Sequence, residues 1–241
     1  RSTLNSCTLF DGRSRSGLGI NPYDLIEALS SGSPEKLDVF VDTGSVLPYT
    51  MSSFNRRASQ RIFHDFNNTA MGWSIPATIG GATAAPDRPT LTLVGDGSLM
   101  MATHDLVNLA KLASPHTAKL LLVDNTGYSM IRQTQDQWLD GEYWASSPEG
   151  GLQFPDYSQL AKSAGFEYLE ILTMESVDRQ LESFWAAKKP CFLRVVIDPT
   201  WRVIPQVKFG RPNEDSAPLL ERDVFEGYML IEPLEAPSEI P

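Results

Sequence analysis

The chain has 241 residues, 41% of them hydrophobic and 21% charged, which suits one large globular domain with a real core, or one domain plus a tail. A formal net charge of −10 argues against nucleic acid or an anionic membrane as a partner, because both select clustered Lys and Arg. Two cysteines, Cys7 and Cys191, make no disulfide framework, the longest apolar runs are too short to cross a bilayer, and the N-terminus is polar rather than leader-like, so a cytoplasmic protein is expected.

Residues 1–20 are rich in Ser, Arg and Gly and read as a linker or a cut end. Asn21 and Pro22 are a cap and first-turn pair for a short helix over residues 23–29. Strands are expected at 38–41, 61–66, 90–94, 119–123, 168–171 and 191–197, where short apolar runs stop at turn residues. Helices are expected at 72–85, 99–113, 156–164 and 175–187. The third strand stops at Gly95-Asp96-Gly97-Ser98 and the fourth at Asp124-Asn125-Thr126-Gly127. Strands alternating with helices predict an α/β three-layer domain over 21–199, a parallel sheet with helices on both faces. Over 200–241 the prolines are expected to break every regular element and leave an extended tail.

In open parallel sheets, ligands sit beyond the carboxyl ends of the strands. Twenty-six residues separate Gly97 from Asp124, enough for one crossover helix and one strand, so the two loops should share one edge of the sheet. Asp96 offers a carboxylate, Asn125 an amide oxygen and Gly127 a backbone carbonyl. These are hard oxygen ligands, and Mg²⁺ typically combines one or two protein carboxylates with phosphate oxygens and water. Glycines allow close backbone approach, and the amides that open the next helix favour an anion. The residue types point to Mg²⁺ and a diphosphate.

A Gly-Asp-Gly-Ser loop, this spacing and then an Asp-Asn pair resembles the thiamine-diphosphate (ThDP) motif of the acetolactate synthase and pyruvate decarboxylase superfamily. The segment Thr69-Ala70-Met71-Gly72-Trp73-Ser74-Ile75-Pro76-Ala77 is similar to a further stretch of that family. The resemblance implies Mg²⁺ on Asp96, Asn125 and Gly127. It implies cofactor contacts from Gly44, Ser45, Gly95, Gly97, Ser98, Tyr128, Ser129 and Met130 as well. Met71 falls where the family places an apolar residue under the bent cofactor, and the Thr69 carbonyl where it meets the cofactor's amino group. Ile131 stands where decarboxylase-like members carry a Glu, which favours acyl transfer over simple decarboxylation. Thr134 stands where acetolactate synthases carry a Trp, which implies a different or larger acceptor.

The implied reaction is decarboxylation of a 2-keto acid, most simply pyruvate, and transfer of the acyl unit to a carbonyl acceptor. The implied partner is a pyrimidine-binding domain or subunit carrying the activating Glu, in a dimer of such pairs. The resemblance leaves room for FAD on a further domain outside these residues. A split 2-keto-acid decarboxylase acting on sulfonated or phosphonated pyruvate, or a non-catalytic subunit, are the alternatives.

Blander readings stand for other residues. His64, His104 and His116 show no metal-ligand spacing. Cys191 reads as an inert core thiol, and Glu142 and Glu149 as solvated loop carboxylates. Trp138, Tyr143 and Trp144 suit packing or a subunit contact as well as an acceptor wall. Lys208, Arg211 and Arg222 read as solvated tail charges.

Overall fold

The structure, a computed structural model, describes residues 19–112, 118–207 and 210–234. They fall into two compact units, one within Leu18–Arg202 and one within Val203–Pro241. His116 and Lys208 lie outside the described residues.

The first unit alternates helix and strand: α1 (Pro22–Ser31), β1 (Leu37–Val41), α2 (Val46–Ser53), β2 (Gln60–Phe63), α3 (Ser74–Ala84) and β3 (Thr90–Gly95). It continues through α4 (Asp96–Met101), α5 (Leu106–Ala110), β4 (Lys119–Asp124), α6 (Ser129–Trp138), α7 (Tyr157–Ala164), β5 (Glu167–Ile171), α8 (Val177–Ala186) and β6 (Cys191–Val196). The six strands form one all-parallel sheet in the order β2-β1-β3-β4-β6-β5. From β1 the chain runs outward to β2 and then returns to β3 on the other side of β1. That reversal creates a crevice at the carboxyl ends of β1 and β3.

The central strands are buried on both faces, as near-continuous apolar runs predict. Val94, Leu120, Leu122 and Phe192 form one core layer with Ile75 of α3, Leu106 and Leu109 of α5, and Tyr157 and Ala161 of α7. Helices α1, α2 and α8 pack together separately from that layer. The start of α1 follows its sequence: Asn21 Oδ1 accepts the Tyr23 N–H at 2.9 Å, and Pro22 opens the helix.

Helix α3 lies close on β1 because Gly81 lets it. A Cβ at Gly81 would stand 2.2 Å from Cζ of the buried Phe40. Gly81→Ala gains helix propensity of about 1 kcal/mol. The overpacking costs about 1–3 kcal/mol and should win. A melting temperature several degrees below wild type is the expected result, read by calorimetry; an unchanged or higher value would overturn this account.

Three expectations need correction. The helix predicted over 99–113 is broken: α4 ends at Met101, Ala102 leaves helical geometry (φ −133°, ψ 24°), and a 3₁₀ turn at Thr103–Asp105 precedes α5. Leu99, Ala102, Leu106 and Leu109 are all buried nonetheless, so the apolar spacing reported a face and not an unbroken backbone. Helices α2 and α6 were not anticipated. In the second unit, α9 (Arg222–Tyr228) is regular. It lies between Pro218 and Pro233, and prolines break structure only where they stand. In the same unit Arg211 and Arg222 both donate to Asp215, at 2.6 and 2.9 Å.

Among the described residues, no helix is long and apolar enough to cross a membrane.

Candidate functional site

Beyond the carboxyl ends of β1, β3 and β4 lies a cavity of about 400 Å³. Every sequence-predicted site residue lines it: Gly44 and Ser45 after β1, Thr69 and Met71 before α3, Gly95 to Ser98 after β3, and Asn125 and Gly127 to Met130 after β4. Thr43, Val46 and Ile131 complete the wall. Adjacent pairing of β3 and β4 brings the two glycine loops together, so residues far apart in sequence meet at one edge.

Asp96 joins these loops. Its Oδ1 accepts the Gly97 N–H at 2.7 Å and its Oδ2 the Gly127 N–H at 2.9 Å. The side chain has no ion pair with a Lys or Arg among the described residues, and only 2% of the residue is exposed. Burial pushes its carboxyl up to about 7, the nearby Asp124 carboxylate acts in the same direction, and the two N–H bonds oppose them. A carboxylate held this way is a ready ligand for a cation.

Asn125 is held from two sides. Its Nδ2 donates to Ser45 Oγ at 3.3 Å, and its backbone carbonyl accepts from Arg132 Nη2 at 2.6 Å. Its Oδ1 has one long contact to the same guanidinium, 3.4 Å, and remains the oxygen available to a cation. Thr126, between the two candidate ligands, adopts φ 56°, and Thr69 adopts φ 50°. A β-branched residue in the left-handed region is strained, and such strain persists only where the surroundings hold it. Here Asp124 Oδ1 accepts the Thr126 N–H at 3.0 Å.

The glycines are required by space. A Cβ on Gly97 would stand 2.0 Å from Tyr128 Cε1, and one on Gly127 would stand 2.3 Å from the Ser146 carbonyl oxygen. No Lys, Arg or His lines the cavity among the described residues. No cluster of three or more His, Cys, Asp or Glu exists among them either. One buried carboxylate, one amide and free backbone groups suit a hard divalent cation whose other ligands are phosphate oxygens and water. An Mg²⁺-diphosphate fits this donor set, because among the described residues no cationic side chain lines the cavity, and a metal with backbone N–H groups would offset the diphosphate charge.

Two residues escaped the sequence reading as site residues. Arg132, buried on α6, braces the Asn125 carbonyl; burial lowers its pKa, and the Asp96 charge opposes that. Asp42, at the end of β1, accepts backbone N–H groups of the Met71 segment. Neither carries a local signal, since each acts on a segment remote in sequence. Other residues match their blander readings. His104 is exposed beside Asp105, Glu142 and Glu149 are exposed, and burial pushes the Cys191 thiol up to about 11. Trp144, by contrast, is 74% exposed and so does not meet the packing reading, while Tyr143 donates to Asp136 at 2.5 Å.

Comparison with known proteins agrees with this arrangement. The family description "Thiamine pyrophosphate enzyme, C-terminal TPP binding domain" matches residues 42–195. The chain is 32% identical over 143 residues to the acetolactate synthase large subunit of Parasynechococcus marenigrum, covering 59% of this chain and 22% of that protein. It is 24% identical over 196 residues to the acetolactate synthase isozyme 1 large subunit of Escherichia coli, covering 81% and 34%. It is 30% identical over 140 residues to the mitochondrial acetolactate synthase catalytic subunit of Saccharomyces cerevisiae, covering 58% and 20%. The matched region thus spans about a fifth to a third of these relatives. The family match runs from the end of β1 into β6 and takes in both glycine loops, and the chain belongs to the thiamine pyrophosphate enzymes, whose C-terminal TPP-binding domain it carries.

Proposed function

We propose that Asp96, Asn125 Oδ1 and the Gly127 carbonyl hold Mg²⁺, and through it the diphosphate of ThDP. Gly44, Ser45, Gly95, Gly97, Ser98, Tyr128, Ser129 and Met130 would surround that end, while Met71 and the Thr69 carbonyl would face the cofactor's rings. The observation that carries the reading is Asp96: a buried carboxylate in a cavity lined, among the described residues, by no cationic side chain. Bound ThDP would supply an electron sink for decarboxylation of a 2-keto acid.

This chain's own residues would orient and exclude water. Met71, Val46, Met130 and Ile131 give the cavity an apolar wall, which strengthens every electrostatic contact inside it. Among the described residues, Asp96 is the only carboxylate that lines the cavity, and both its oxygens already accept N–H groups. With Ile131 at the position of a proton donor, the wall favours transfer of the acyl unit to a carbonyl acceptor over protonation. The acetolactate synthases among the relatives support that choice. A pyrimidine-binding domain, from a partner chain or another part of the protein, would supply the activating Glu.

The test is product analysis. The chain, assembled with its pyrimidine-binding domain, is incubated with pyruvate, Mg²⁺, ThDP and candidate aldehydes or ketones. An acyloin or 2-acetyl-2-hydroxy acid is expected. Acetaldehyde as sole product would replace ligation with decarboxylation, and the absence of Mg²⁺-dependent ThDP binding would overturn the proposal.

A further inference from the structure

Asp42 directly follows β1 and carries a carboxylate that is fully buried. Its Oδ1 accepts the Thr43 and Gly72 N–H groups, each at 3.0 Å, and its Oδ2 accepts the Ser74 N–H at 2.8 Å. The last two bonds reach across 30 and 32 residues to the segment that carries Thr69 and Met71. A buried carboxylate is costly unless hydrogen-bonded, and bonds from N–H groups to an ionised oxygen are roughly twice as strong as neutral ones. The carboxylate therefore fastens that segment to the sheet at two points.

The fastened segment is one that would not hold its shape alone. Thr69 (φ 50°) and Gly72 (φ 81°) both adopt left-handed backbone, on either side of Met71. A Cβ on Gly72 would stand 2.8 Å from Met101 Cβ, so the segment also presses on α4. Met71 itself is 39% exposed, so burial fixes its side chain only in part. Its position depends on the backbone around it, and Asp42 anchors that backbone immediately after it.

We infer that Asp42 is a positioning residue for the ring end of the cofactor, acting through Met71 and the Thr69 carbonyl, separately from the Asp96 and Asn125 cluster that would hold the diphosphate end. This inference rests on the proposed ThDP reading. Two ends of one ligand are then controlled by two buried carboxylates that directly follow the neighbouring strands β1 and β3, and they can be disturbed one at a time.

Asp42→Asn keeps the size but replaces one acceptor oxygen with an NH2 group, a donor only, so the Gly72 or the Ser74 N–H loses its partner. In the full protein, assembled with its pyrimidine-binding domain, Mg²⁺-dependent ThDP affinity should change by less than about threefold. Turnover should fall by roughly 10- to 100-fold, as a misplacement of about 1 Å can cause. The near-ultraviolet circular dichroism of bound ThDP should change, and the Gly72 and Ser74 amides should exchange faster with solvent. Adding Met71→Ala in the Asp42→Asn background should cost little more, because both changes act through the same side chain.

A variant with wild-type turnover and an unchanged cofactor spectrum would overturn the inference, whatever its melting temperature. A wild-type protein that binds no ThDP would overturn the underlying functional reading instead. If Asp42→Asn does not fold, amide exchange of the cofactor-free wild type decides. Slow exchange at Gly72 and Ser74 supports a preformed anchor, and exchange as fast as in exposed loops overturns it.

Discussion

Asp96→Ala is expected to lower Mg²⁺-dependent ThDP affinity by about a hundredfold or more, as loss of a metal's anchoring carboxylate should exceed the 10- to 100-fold typical of an outer partner. The domain should still fold, because the change removes a buried charge along with two hydrogen bonds. Titration calorimetry with ThDP at fixed Mg²⁺ reads the loss, and unchanged affinity would remove Asp96 from the site. The same carboxyl makes binding pH-dependent. With its pKa near 7 in the cofactor-free protein, a proton competes with the metal below that value. Affinity should fall about tenfold per pH unit on the acid side of 7 and level off above it.

The sign for stability is opposite. The folded-state pKa is raised above the unfolded value of 3.8, so the contribution of this group is present below 3.8 and is lost as pH rises through about 7. Asp96→Asn removes the titration. The melting temperature of the cofactor-free variant relative to wild type should therefore rise by several degrees between pH 5 and pH 8. A site poised for a cation weakens the empty fold in this way, and a bound cation would repair the deficit.

The second large effect concerns Asp124, the residue before the candidate metal ligand Asn125. It is 2% exposed and needs a countercharge. Arg194 on β6 supplies it: Nε lies 2.7 Å and Nη2 2.5 Å from Asp124 Oδ2, while Nη1 reaches Glu170 at 2.7 Å. Arg194→Met should destabilise the domain by about 3–5 kcal/mol, because it leaves a buried carboxylate unpaired. The expected fall in melting temperature is roughly 10 °C. Asp124→Asn in that background should recover more than half of the loss, since it removes the stranded charge. If the double variant is no more stable than Arg194→Met alone, packing of Arg194 over the Tyr157 ring, 5.3 Å away, is the dominant contribution.

Much of this protein could be read locally. Continuous apolar runs ending in glycine or aspartate identify buried parallel strands, because a strand covered on both faces has no polar alternation. Thus 90–94 and 119–123 correspond to β3 and β4 within a residue or two. The Gly-Asp-Gly-Ser and Asp-Asn loops were legible for the same reason, since loop chemistry at a strand end is written in consecutive residues. Less was legible where apolar spacing continued through a break, as at Ala102, or where a helix presents a mostly polar surface, as α6 does.

The sequence by itself determined the α/β alternation, the sheet edge that carries the cavity and the residues that line it, because these depend on short-range pattern. Only the tertiary structure decided which strands are neighbours, and with them the partners of the buried charges. Asp42 reaches the Met71 segment, Arg132 braces Asn125, and Arg194 neutralises Asp124 from the next strand. No local pattern announces such pairings: a buried carboxylate constrains its partner through space and charge, and chain distance enters neither.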